Sequence, residues 1–140
     1  KVIAILAGKD VAVNKHIVSN EKKPASEIDS IIQTYLSKNK YKEAIDRLLP
    51  IAENDDSQAQ HILGEIYLAG PENIRDYKQA VFWLELSSNQ NNNAAKFSLA
   101  NAYLSGRGVP QNKANAIKLL ESAASSSYQP AIQLLDKLKH

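Results

Sequence analysis

The chain contains no cysteine and no methionine. Without thiols it can form neither a disulfide nor a thiolate-held metal site, although this leaves the redox compartment open. Glycine is scarce at five residues, and Gly106-Arg-Gly108 is the only close pair. That pair lacks the lysine and hydroxyl that a nucleotide-phosphate loop requires. Long apolar runs are also missing. Val2 to Ala7 is the one continuous stretch near the start, far too short to span a bilayer and marginal as a signal-peptide core. Charge of one sign is equally thin: the formal net charge is +2, with five lysines against Asp10 and Glu21 in residues 1–24 and about −1 in the rest. A nucleic-acid surface needs a concentrated basic stripe, so nucleic acid is not the expected partner. The chain opens on Lys1 rather than methionine, so a processed product or an excised piece is expected.

A fixed interval dominates what is present. Ala59, Leu63, Tyr67, Gly70, Ala80 and Ser87 are followed 36 positions later by Ala95, Leu99, Tyr103, Gly106, Ala116 and Ala123, and Ala131 and Leu135 begin a third round. Such a period marks stacked helical units, none of which can bury its apolar face alone. The 44% of apolar and 23% of charged residues are ordinary globular values.

Pro24 divides the chain. Before it, Val2–Ala7 and Val11–Val18 are β-leaning runs around Gly8-Lys-Asp10, read as a hairpin or tail over residues 1–24. After it, three-and-four spacing predicts helices near 26–36, 41–52, 58–69, 76–89, 94–104, 112–125 and 129–139. Pro50 is expected to bend or end the second of these, and Ser57 to cap the third. The first connection is four residues shorter than the later ones, judged from Tyr35 to Ala44 against Tyr67 to Ala80. Residues 25–56 therefore read as one helix pair, and 57–140 as repeats closed by a capping helix.

The pattern resembles the Sel1-like repeat, a relative of the tetratricopeptide repeat. Ala59, Leu63, Gly64, Tyr67, Gly70, Asp76, Ala80 and Trp83 fill the family's places in one unit. Ala95, Leu99, Ala100, Tyr103, Gly106, Gly108, Val109, Asn112, Ala116, Leu119, Ala123 and Ala124 fill them in the next. Tyr41-Lys-Glu-Ala44 resembles a preceding tetratricopeptide-type unit. The resemblance implies an all-α, right-handed solenoid of about three helix pairs with a short β-leaning N-terminal extension. Leu63, Tyr67, Trp83, Leu99 and Tyr103 are expected to be buried between helices, and alanine to be tolerated at Gly64, because Ala100 holds the equivalent place. The glycine usual after the second helix is replaced by Asn91 and Ser127, of which asparagine tolerates a left-handed backbone and serine does so poorly.

In similar repeats the first helix of each pair lines a concave face whose solvent-facing positions meet partner segments. Carried over by register, these are Asp29, Gln33, Gln58, His61, Glu65, Phe97, Ser98, Asn101, Gln133 and Lys137. The amides could pair with an extended peptide backbone, and Phe97 could serve as an aromatic anchor. His61 and Glu65 lie one helical turn apart but have no third partner in the sequence, so no metal site is assigned. No clustered acid, base and nucleophile points to an enzyme, and no cofactor is expected. The implied function is non-catalytic recognition of another protein or an extended peptide. The resemblance implies a bacterial adaptor, regulator or inhibitor, leaning towards the periplasm or secretion, with no membrane span. The alternative is a repeat module excised from a larger modular enzyme or secreted effector.

Overall fold

The computed structural model describes residues 26–140. The hairpin or tail expected for residues 1–24 lies outside them. Two units are distinguished, with the boundary between Ser30 and Ile31. In the first, Ser26 Oγ accepts from the backbone N–H of Asp29 at 3.0 Å, and the Asp29 carboxylate accepts from that of Ser26 at 3.3 Å. This reciprocal box satisfies two donors at the start of α1 (Glu27–Thr34).

Among the described residues every element is helical. After α1 and a 3₁₀ turn at Leu36–Lys38 come α2 (Tyr41–Glu53), α3 (Ser57–Ala69), α4 (Tyr77–Asn89), α5 (Asn93–Ser105), α6 (Lys113–Ser125) and α7 (Gln129–Lys139). The 36-residue grid reaches further back than the sequence pattern suggests. Helices α2, α4 and α6 are each 13 residues long and begin at 41, 77 and 113. The unit with the short first loop therefore joins the grid at its second helix.

Local chemistry repeats on the same grid. Asp56 and Asn92 cap α3 and α5 by accepting from Ala59 N and Ala95 N, each at 2.9 Å. Asp76 and Asn112 do the same for α4 and α6, accepting from Gln79 N at 3.1 Å and Asn115 N at 3.0 Å. Between paired helices, the N–H of Asp76 donates to Tyr67 O at 2.8 Å and that of Asn112 to Tyr103 O at 2.9 Å. Between pairs, a residue with left-handed backbone turns the chain: Asp55 (φ 68°), Asn91 (φ 65°) and Ser127 (φ 65°). Ser57 is thus not the cap but the first residue inside α3. Its hydroxyl instead accepts from Asn92 Nδ2 at 3.0 Å, and its carbonyl from Ser87 Oγ at 2.7 Å, which ties α3 to the end of α4.

Packing alternates small and large. Ala44, Ala80 and Ala116 are fully buried, and one turn on so are Leu48, Leu84 and Leu120. The alanines let helix backbones approach and the leucines fill the space beside them. Ala100, Ala116, Leu120, Ala123, Ala131 and Leu135 form one core cluster, and Val81, Leu84, Ala95, Leu99 and Ala102 form the one before it. Each cluster draws on neighbouring helices only, as expected of a solenoid.

Several expectations change. Leu63, Leu99 and Trp83 are buried, but Tyr67 and Tyr103 are only half-buried, and Tyr103 lines an open cleft beside Leu119. Leu119 is also half-buried, while Leu120 is fully enclosed. Pro50 does not end α2, which continues to Glu53. Pro50 and Asp46, whose carbonyl loses its partner, both face water, so solvent replaces the missing bond.

Candidate partner-binding face

Three of the ten expected site residues come into contact. On α3, His61 and Glu65 stand one turn apart with Nε2 and Oε2 separated by 3.6 Å, an ion-pair distance rather than a close hydrogen bond. From α5, Ser98 Oγ donates to the same carboxylate oxygen. The contact joins the first helices of consecutive repeats. Glu65 keeps 40% of its side chain accessible and His61 21%, whereas Ser98 is buried. This corrects the reading of Ser98 as solvent-facing, since its hydroxyl is turned along α5 toward α3 and is already engaged.

Burial pushes the Glu65 carboxyl up, but the contacts with His61 and the Ser98 hydroxyl, together with the His61 charge, outweigh it and hold the carboxyl below its usual 4.5. Glu65 is therefore a fixed anion at neutral pH. The order of groups does not suit acyl transfer. Ser98 directs its proton to Glu65 Oε2, the same atom that faces His61 Nε2, so the hydroxyl is engaged by the carboxylate and not by the imidazole that would have to act as its base. No group of three or more metal-ligating side chains occurs among the described residues.

The remaining candidates separate by environment. Phe97 is half-buried against the Tyr128 ring, with centroids 6.1 Å apart and planes at 60°, and it packs on the cluster around Leu120. It is part of the joint between α5 and α7 and not a freely presented anchor. Asn101 is half-exposed, while Gln58, Gln133 and Lys137 are exposed, the last two one turn apart on α7. Gln33 is exposed near the end of α1, and Asp29 is exposed but engaged in the α1 cap.

Two buried polar residues were missed. Gln60 donates to Ala52 O at 3.0 Å and accepts from Gln90 at 3.0 Å. At the equivalent place Lys96, 7% exposed, donates to Asn91 Oδ1 at 3.2 Å and Ser122 Oγ at 2.8 Å. Both follow the invariant small residue of the grid, Ala59 or Ala95, and that adjacency was the available signal. Asn93 Oδ1 is buried without a partner among the described residues. Its counterpart Ser57 is served by Ser87 and Asn92, whose own counterparts are Ala123 and Tyr128.

Paired antiparallel helices on a fixed grid, with a polar, half-open face on the first helices, define a tetratricopeptide-like α-solenoid. The chain belongs to the Sel1 repeat family, whose model matches residues 57–92 and 93–128, just over half of it. Among solved structures it is similar to a Sel1 repeat protein from Oxalobacter formigenes at 33% identity and a TM-score of 0.62, covering 68% of this chain and 28% of that one. It is also similar to Helicobacter pylori cysteine rich protein B, at 20% identity and a TM-score of 0.60 over 66% of this chain and 70% of the other. A third is c5321, a protective antigen present in uropathogenic Escherichia coli strains, at 24% identity and a TM-score of 0.57, with coverage of 88% and 23%. The chain thus spans under a third of the first of these. No curated protein matches it. Sel1 repeats are generally protein–protein interaction modules and non-catalytic scaffolds. No described helix is long and apolar enough to cross a membrane.

Proposed function

We propose that the face formed by the first helices α3, α5 and α7 binds an extended segment of a partner protein, and that the chain acts as a bacterial adaptor, regulator or inhibitor without catalysis of its own. The observation that carries this reading is the Glu65 carboxylate. It is ionised and 40% accessible, and Ser98 holds it between two consecutive repeats. An anion fixed by its neighbours presents an acceptor at little further entropic cost. By helical register Gln58 and Asn101 share its face, with side chains that both donate and accept, which suits an extended backbone carrying a basic side chain. Gln33, Gln133 and Lys137 would extend the face at its two ends, while Phe97 and His61 support it.

The test is a pull-down from the native host, followed by titration of the recovered partner against the wild-type chain and a Glu65→Gln, Asn101→Ala variant. Glutamine keeps the acceptor for Ser98 and removes the charge. Affinity is expected to fall more than tenfold, with the melting temperature nearly unchanged. Equal affinity of the two proteins would remove this face from consideration.

A second reading is that these repeats form one module of a larger enzyme or effector. The similarity to only 28% and 23% of two longer chains favours weighing it. The complete reading frame decides it.

A further inference from the structure

The repeat grid sets two grooves side by side for comparison. In the unit of α3 and α4, position 83 is tryptophan, 5% exposed, with Phe82 edge-on to it at 5.0 Å between centroids and 82° between planes. In the next unit the same two positions hold Lys118 and Leu119. There the space between α4 and α6 stays open as a cleft of about 510 Å³, floored by Leu99, Tyr103 and Leu119 and rimmed by Glu85, Asn115 and Lys118. Leu99 and Tyr103 leave α5 about 200° around the helix from Phe97 and Asn101. The cleft is therefore separate from the proposed face on the first helices.

We propose that this cleft is a second docking site, and that its occupant is a tryptophan side chain presented by a partner protein. The occupant is argued from the chain's own template, because a buried indole already holds the equivalent position one repeat earlier, where the grid sets Leu63 and Tyr67 in the places of Leu99 and Tyr103. The rim supplies what an incoming indole needs and Trp83 lacks. Trp83 Nε1 is buried without an acceptor among the described residues, whereas Glu85 offers a carboxylate to the N–H of an indole in the cleft. Lys118 places an ammonium where it can face the ring. Leucine at 119 adds to the apolar floor but leaves the cleft open.

The experiment titrates the full chain, ¹⁵N-labelled, with N-acetyl-tryptophanamide and, separately, with N-acetyl-leucinamide. Tryptophanamide should shift the amides around Leu99, Tyr103 and Leu119 with a dissociation constant on the order of 1 mM, and leucinamide should bind at least tenfold more weakly. Leu119→Trp should fill the cleft from within, abolish those shifts and leave the melting temperature equal or higher. If Leu119→Trp fails to fold, the exposed Lys118→Glu decides. It should weaken tryptophanamide roughly threefold, and unchanged binding would count against the site. Absence of shifts, equal response to leucinamide, or shifts that persist in a folded Leu119→Trp variant would overturn the proposal. In that last case the amide binds elsewhere.

Discussion

Ser127 is the residue with most to gain from substitution. It turns the chain between α6 and α7 at φ 65°, where an L side chain other than asparagine or aspartate is disfavoured by roughly 1–2 kcal/mol. Glycine relieves that strain but loses about 0.5–1 kcal/mol in backbone entropy. Ser127→Gly should therefore stabilise the chain by about 0.5–1 kcal/mol, read as a higher urea midpoint. Asn91→Gly, at the same φ one repeat earlier, should change little, because asparagine already tolerates the conformation. Equal gains at the two positions would mean that strain is not the cause.

Glu65 makes the other prediction at this scale. Its folded carboxyl titrates below the usual 4.5, so its unfolded counterpart takes up a proton first as the pH falls. The stabilisation from its contacts is complete above pH 4.5 and is lost as the pH drops through the lower folded value. Melting temperatures between pH 7 and pH 3 should thus fall more for the wild type than for Glu65→Gln, and parallel curves would refute this. The loss is modest, because 40% of the side chain is open to solvent screening.

At the scale of elements, the spacing of helix pairs departs from what the sequence pattern implies. Ala100 and Leu120 pack together in one pair, while Gly64 and Leu84 hold the equivalent places in the other. A Cβ on Gly64 would stand 2.6 Å from both Cγ and Cδ2 of Leu84, which is itself fully buried. Helices α3 and α4 therefore approach too closely for alanine at 64. Overpacking of this kind costs about 1–3 kcal/mol, against a helix-propensity gain for alanine near 1 kcal/mol. Gly64→Ala should be destabilising by about 1 kcal/mol, contrary to the expectation drawn from Ala100. A denaturant midpoint equal to wild type would show that Leu84 moves aside freely. The loop glycines are constrained in a different way. Gly108, at φ 78°, would place a Cβ 2.4 Å from Tyr77 O, so this loop packs on the first turn of the preceding second helix.

Over the whole molecule, each core cluster spans neighbouring helices, so stability is shared between repeats and a single deep truncation is felt along the stack. Trp83→Ala removes a large side chain that is 5% exposed and should cost about 3–5 kcal/mol, a large share of the total for a domain of this size. Leu119→Ala, at the same position one repeat later, should cost less than half as much, because Leu119 is half-buried beside an open cleft. Chemical denaturation of the two variants measures the difference. Equal losses would mean that the two grooves are packed alike.

The sequence by itself determined the helices, their order and their grid. Those features rest on local chemistry that recurs every 36 residues: Asp or Asn at the caps of α3 to α6, a small residue on each facing turn, and leucine one turn on. A cap acts on the next three residues and a helical stripe on the next seven, so a reader of the chain meets all the atoms involved within a few positions. The tertiary structure alone decided which way the polar residues of the first helices turn. Ser98 reaches Glu65 across 33 positions and Phe97 leans on Tyr128 across 31, and neither contact is written in the residues beside it. It also decided that Gly64 and Ala100 are not interchangeable and that Leu119 leaves a cleft where Trp83 leaves none of its own ring exposed beyond 5%. The physical reason is the same in each case. Helix formation is a local equilibrium, whereas the distance and angle between two packed helices follow from every side chain at their interface at once.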